Sequence, residues 1–317
     1  MLEDEPQTEH VSRVDESTKT CTLISLAQVQ SLMAEQSAKG ANLYYEQKGN
    51  GEPIVFVHGT VSDYRVWISQ AETLSKNYMT VSYSRRFATP NPWSGNITES
   101  TVQSNAADLL ALIRKLGIAP VHLVGHSYGG FIVAYFATQH PEMLRSLTLA
   151  NAAVFTMILA KQNSPLSALA LLLKSPSVAS SAQRVIKGQE AANKEADAGK
   201  PAEAANLFYA ALFDKGKTIP EMSAEFLRMM EDNAKTLREV QTPWPRLTGS
   251  EVSRIKTPTL VLSGENSARW DHKLSEKLAA SIPGSKSVII PRGGHFCMIE
   301  NAPEFNARLS EFLGHRN

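Results

Sequence analysis

The chain has 317 residues, of which 43% are hydrophobic and 20% charged, and its formal net charge is +1. A chain of this length and composition buries a core without needing disulfide or metal staples. Near-neutral charge gives no electrostatic reason to expect nucleic acid or an anionic membrane as a partner. The two cysteines, Cys21 and Cys297, make neither a disulfide framework nor a zinc site. An idle thiol is the preferred reading over a bridge between them.

The N-terminus opens Met-Leu-Glu-Asp-Glu-Pro, an acidic start that is the reverse of a secretory signal. Cytoplasm is therefore the default localisation. Residues 1–38 read as an extension: the first twenty are polar and aperiodic, and Thr22–Ala34 is a helix candidate that packs on the body. From Asn42 the pattern becomes regular. Asn42–Gln47 and Pro53–His58 are strands joined across Gly49-Asn50-Gly51. Val61–Lys76 is a helix candidate and Met79–Ser84 the next strand. Thr98–Leu116 is a helix, with Ala106, Leu109, Leu110, Ile113 and Leu116 at helical spacing and Gly117 as its stop.

Val121–Gly125 is a strand with few polar positions, as expected where both faces are covered. Tyr128–His140 is a helix stopped by Pro141, and Leu144–Ala150 a further strand. Strand–helix alternation predicts a mainly parallel sheet with helices on both faces. At Asn151 the alternation stops. Residues 152–244 show helices and loops, including a helical hairpin of Gln183–Ala198 and Pro201–Phe213 across Gly199. Leu166–Leu173 is apolar but far shorter than the roughly 20 residues a membrane span requires. The sheet pattern resumes with the strand Thr259–Ser263, the helix Asp271–Ile282, the strand Lys286–Ile290 and the helix Pro303–Leu313. The expected organisation is a core of 39–151 plus 245–317, split by a helical cap at 152–244.

Gly125-His126-Ser127-Tyr128-Gly129 fits G-x-S-x-G, with a strand running into it and a helix running out. That context predicts a sharp turn that strains Ser127 and lifts its hydroxyl clear of the sheet. A serine hydroxyl needs a base. His295, in Pro291-Arg292-Gly293-Gly294-His295-Phe296 after the last strand, is the best candidate. The remaining histidines are weaker; His126 neighbours the serine, but its side chain is expected to point away. His58-Gly59-Thr60 ends the second strand. The N–H of Thr60, or of Val61, is expected to form an oxyanion hole with the N–H of Tyr128. Asp63, Arg65, Arg85 and Arg86 are expected to form a structural ion-pair cluster.

His58-Gly59, Gly125-His126-Ser127-Tyr128-Gly129-Gly130 and Gly293-Gly294-His295 together resemble the α/β-hydrolase fold family, in its order and over nearly the whole chain from about residue 40. Tyr83-Ser84-Arg85-Arg86 also looks like the strand-end segment of members that replace the usual Asp. The resemblance implies an eight-stranded, mostly parallel sheet and Ser–His–acid chemistry, with no metal or organic cofactor.

The family pattern breaks at the acid. It places Asp or Glu just after the strand Thr259–Ser263, where this chain has Ser267, or at the end of the preceding strand, where it has Asn151. Three substitutes remain open: Glu265, Asp271, or Asn151 as a neutral hydrogen-bond partner. Asp271 is preferred by a narrow margin, because a loop can bring it inward. The expected function is hydrolysis of a small, apolar carboxylic ester through an acyl-enzyme on Ser127. Alternatives are a C–C bond hydrolase, lactonase, perhydrolase or cofactor-free lyase on the same scaffold, or a non-catalytic receptor. The expected partner is a small-molecule substrate, with no nucleic acid and no integral membrane segment.

Overall fold

The computed structural model describes residues 34–38, 41–93, 95–159, 161–214 and 221–314. Eight strands form one sheet: β1 (Ala34–Ala38), β2 (Ala41–Lys48), β3 (Pro53–Val57), β4 (Met79–Tyr83), β5 (Val121–His126), β6 (Leu144–Ala150), β7 (Thr259–Gly264) and β8 (Lys286–Ile290). Their spatial order is β1-β2-β4-β3-β5-β6-β7-β8. The pairs β1–β2 and β2–β4 are antiparallel and the rest parallel. The helices, in chain order, are α1 (Ile68–Leu74), α2 (Val102–Leu116), α3 (Tyr128–Gln139), α4 (Pro165–Lys174), α5 (Pro176–Asp197), α6 (Pro201–Ala211), α7 (Ala224–Asp232), α8 (Gly249–Val252), α9 (Arg269–Ser281), α10 (Cys297–Glu300) and α11 (Ala302–Gly314).

Alternation along the central strands divides the core between the two sheet faces. Val55 and Val57 pack with Leu109 of α2, Phe131 of α3 and Leu274 of α9. Ile54 and Phe56 pack with Trp67, Leu74 of α1 and Phe305 and Leu309 of α11. Every residue of β5 is buried, because helices cover both of its faces. Helix α2 starts on a reciprocal Thr101–Ser104 capping box and stops at Gly117, whose φ of 64° takes the left-handed C-cap conformation.

Three local expectations change. Residues 34–38, expected inside the extension, form the edge strand β1, paired residue for residue with β2. The sequence Ala-Glu-Gln-Ser-Ala has no apolar alternation to announce a strand; backbone hydrogen bonds alone define it. The remainder of the 1–38 extension, Cys21 and the Thr22–Ala34 helix candidate lie outside the described residues, save Ala34, which opens β1. The Gly-Asn-Gly turn joins β2 to β3, but β4 lies between them in the sheet. The helix expected from Val61 begins later, because Val61 has a positive φ of 57° and Asp63 caps a short 3-10 turn at Tyr64–Trp67 before α1.

Between β6 and β7 the described residues are helical and irregular. Helix α5 begins at Pro176, seven residues before the expected Gln183. No helix of the described residues is long and apolar enough to cross a membrane.

Candidate active site

Strand β5 delivers the chain into Ser127, whose φ of 52° and ψ of −120° lie outside the ordinary L-residue regions. The flanking glycines show why the turn needs them. A Cβ on Gly125 would sit 2.4 Å from Val133 Cγ2, and one on Gly129 would sit 2.3 Å from the Val57 carbonyl oxygen. A Cβ on Gly130 would meet that of Ala152 at 2.5 Å. Two further bonds hold the turn: the Ser127 N–H donates to the Ala150 carbonyl, and its own carbonyl accepts from Ala153. Helix α3 starts at the next residue, so its positive end lies beside the hydroxyl.

His295 follows β8. Its Nε2 lies 2.9 Å from Ser127 Oγ. Its Nδ1 lies 2.7 Å from Asp271 Oδ2, and both side chains are buried. Asp271 stands in the first turn of α9, four residues beyond Ser267. That one turn carries the carboxylate to the imidazole. The Trp270 ring stacks on His295 at 6.5 Å between centroids, and Phe155 stacks on Trp270 at 5.7 Å.

The other two candidates for the acid's place lie elsewhere. Glu265 is exposed, and its Oε2 accepts from the Arg292 N–H at 2.8 Å. Asn151 bonds the backbone around His295, whose Nδ1 is taken by Asp271. Asn151 Nδ2 donates to the carbonyls of Gly294 and His295 at 3.0 and 2.9 Å, while its Oδ1 accepts from Ser267 Oγ at 3.2 Å. The two positions without an acid thus form a neutral clamp on the backbone of the histidine loop.

His126 departs from expectation. It packs against the His295 ring at 5.0 Å, and its Nε2 donates to the His295 carbonyl at 2.8 Å. Burial, and then its Coulombic coupling to His295, hold it well below the ordinary imidazole range.

The loop after β3 closes the other side. A Cβ on Gly59 would meet Ser127 Cβ at 2.9 Å, so only glycine lets this backbone pass so close to the serine. The Val61 N–H is occupied, donating to Thr236 Oγ1 at 3.0 Å. That leaves Thr60 as the candidate donor of this loop; it is buried. Tyr128, whose N–H is the other candidate donor, opens α3 with its phenol against Thr242 and Ser100.

Arg85 fixes this loop from below. Its guanidinium donates to the carbonyls of His58 and Gly59, both at 2.9 Å, and makes a two-pronged pair with Glu239 at 2.5 and 2.9 Å. Both side chains are buried. His58 completes the arrangement, accepting from the Arg85 N–H at Nε2 and donating from Nδ1 to the Gly59 carbonyl. The four-residue charge cluster expected here divides into separate pairs. Arg65 binds Asp63 and Asp232, Arg85 binds Glu239, and Arg86 binds Asp108. Glu239 and Asp232 come from the segment between β6 and β7, and nothing in their local sequence points to these partners. A further acid, the half-buried Glu300, accepts from the Gly294 N–H and from the Tyr209 hydroxyl. Burial raises it above the ordinary carboxylate range. Cys297 is a buried free thiol.

A family model described as alpha/beta hydrolase fold matches residues 52–302. The chain belongs to the α/β-hydrolase fold family. Among its relatives is RutD of Pseudomonas syringae pv. syringae, provisionally named a carbamate hydrolase. It is 24% identical over 268 residues, covering 84% of this chain and 95% of RutD. The fold is shared with a thermophilic esterase from Thermogutta terrifontis, at a TM-score of 0.66 and 23% identity, covering 89% of this chain and 97% of that one. It is also shared with the carboxylesterase CesB from Bacillus subtilis, at a TM-score of 0.70 and 17% identity, covering 93% and 95%. Members of this fold carry many chemistries, so function has to be argued from the site.

Proposed function

We propose that this protein is a serine hydrolase that cleaves small carboxylic esters through an acyl-enzyme. The observation that carries the reading is the continuous line Ser127 Oγ–His295 Nε2 and His295 Nδ1–Asp271 Oδ2, at 2.9 and 2.7 Å. In this reading Ser127 Oγ attacks the ester carbonyl as His295 Nε2 takes its proton. Asp271 holds the imidazole with Nε2 facing the serine and stabilises the imidazolium. The N–H groups of Thr60 and Tyr128 donate to the developing oxyanion. His295 returns the proton to the leaving alcohol, then activates water to release the acid.

The segment 152–244 acts as a cap in this reading, supported by the buried contacts of Thr236 and Glu239 with the site loops and by the Tyr209 bond to Glu300. The case for a C–C hydrolase or lyase rests largely on a missing acid, whereas a receptor is weighed against the intact Ser127, His295 and oxyanion loop. An Asp271 carboxylate on Nδ1 weakens the former ground. Carbamate cleavage is the second reading, favoured by the relationship to RutD over most of both chains. It uses the same attack and differs in the leaving group.

The test is turnover of a p-nitrophenyl ester together with labelling by a fluorophosphonate. Wild type should turn over and label, and Ser127→Ala should do neither. Unchanged activity in Ser127→Ala would end the serine reading. A folded wild type that neither labels nor turns over, but binds a ligand tightly, points to a receptor. A panel of esters, carbamates, lactones and β-diketones ranks the substrate classes.

A further inference from the structure

Helix α4 presents its leucines to solvent. Leu166 and Leu173 are 77% and 76% exposed, and Leu169 and Leu172 each 50%. Ser167 is the buried residue of the helix. Positions 166, 169 and 173, with 172 beside them, share one broad outward arc at helical spacing. Contiguous apolar surface of this kind marks an interaction site rather than ordinary scatter.

Along the chain, the charge next to the helix has one sign. Residues 146–189 contain no Asp or Glu, yet carry Lys161, Lys174, Arg184 and Lys187; Asp214 and Glu276 approach from other elements. Lys161 precedes the helix and Lys174 ends it. Both are exposed, and neither forms an ion pair among the described residues. Beyond Lys174 a surface cavity of about 510 Å³ is lined by Arg269, His272, Lys273 and Glu276 as well as Lys174. Lys273 is paired with Glu276 at 2.9 Å, and Arg269 faces Asp214 at 3.9 Å, whereas Lys174 forms no ion pair among the described residues. The overall net charge of +1 conceals this local asymmetry.

We propose that α4 and its flanking lysines dock on the surface of an anionic lipid bilayer, with the helix lying in the headgroup interface and not crossing it. Composition decides between lipid and protein. Protein-binding hot spots favour Trp, Tyr and Arg, leucine is under-represented in them, and lysine is depleted at protein contacts. A short leucine-rich helix with lysines at both ends suits a lipid interface. There the leucines enter the acyl boundary while the lysine stems reach back to phosphate oxygens. A bilayer also demands no shaped counterpart, which fits a convex helix.

The experiment is flotation of the full chain with vesicles of phosphatidylcholine alone, or with roughly one-third phosphatidylglycerol. The protein should float with the anionic vesicles, much less with the neutral ones, and should detach at high salt. Leu166→Asp with Leu173→Asp should weaken flotation about tenfold or more, as should Lys161→Glu with Lys174→Glu. Both variants should keep the wild-type melting temperature, since the substituted side chains face water. The proposal is overturned if wild type stays with the unbound fraction, or if the leucine variant floats as well as wild type. It is equally overturned if light scattering shows a dimer that the leucine variant dissociates, with no vesicle binding; that result assigns the face to a second copy. None of these readouts depends on ester turnover.

Discussion

Asp271 is the residue on which the proposed mechanism can be pressed hardest. If its carboxylate supports His295, Asp271→Asn should lower kcat for a p-nitrophenyl ester on the order of 10⁴-fold while leaving the fold intact. Glu265→Gln, which touches only the Arg292 N–H, should leave kcat near wild type. The reverse pattern would falsify the assignment. Buried histidines make a second prediction. Burial and then the Arg85 charge hold His58 below the ordinary imidazole value of 6.5, and burial and then His295 do the same to His126. Both folded values lie below the unfolded one, so the unfolded chain binds more protons as pH falls beneath that value. The stability these neutral rings contribute is complete above about pH 6.5 and is lost on acidification, by about 1.4 kcal/mol per pH unit for each ring. Glu300 opposes them: burial raises its folded value, so it adds stability as pH falls toward the ordinary carboxylate range. Urea midpoints should therefore drop between about pH 7 and about pH 5, with a shallower slope in His126→Gln and a steeper one in Glu300→Gln. The meeting of Ser127 and His295 is legible in the sequence, because each sits among glycines directly after a strand. The placement of Asp271 is not. It depends on how four residues after β7 turn into α9, and no local pattern separates it from Glu265.

Elements that hold the site rely on interactions of unequal worth. The Arg85–Glu239 pair is fully buried and links the loop after β3 to the segment between β6 and β7. Removing one partner leaves a buried charge uncompensated, so Glu239→Ala should cost about 3–5 kcal/mol by urea denaturation. The exposed Lys273–Glu276 pair on α9 should cost less than about 1 kcal/mol when Glu276→Ala breaks it. Equal losses would show that burial is not what sets the difference. Gly129→Ala should destabilise the turn at Ser127 by about 1–3 kcal/mol or more, since the new methyl meets backbone oxygens that cannot rotate away. The central strands and α2, α3 and α9 are readable from apolar period and stop residues, within a few positions. Strand β1 and the insertion of β4 between β2 and β3 are not. Both are fixed by backbone pairing, which leaves no trace in side-chain order.

At the scale of the whole molecule, the segment between β6 and β7 is fastened to the sheet by buried polar contacts. Thr236 binds the Val61 N–H, Asn233 binds Asp63, and Glu239 binds Arg85. These ties predict one cooperative transition, with tryptophan fluorescence and far-UV circular dichroism coincident in urea. A far-UV signal that persists after fluorescence has changed would mean that the helices stand alone. The fold also divides the proposed machinery by chain position. Ser127 and Thr60 precede the helical segment, while Asp271 and His295 follow it, and the halves are joined where β7 pairs with β6 across more than 100 residues and where Gln70 of α1 bonds the Met298 carbonyl and Asn306. Until that distant pairing closes, the serine is an alcohol without a base and close to inert. The architecture therefore delays reactivity: a chain with only its N-terminal half in place should not acylate itself or its neighbours, because the chemistry becomes available only once the C-terminal half has joined the sheet.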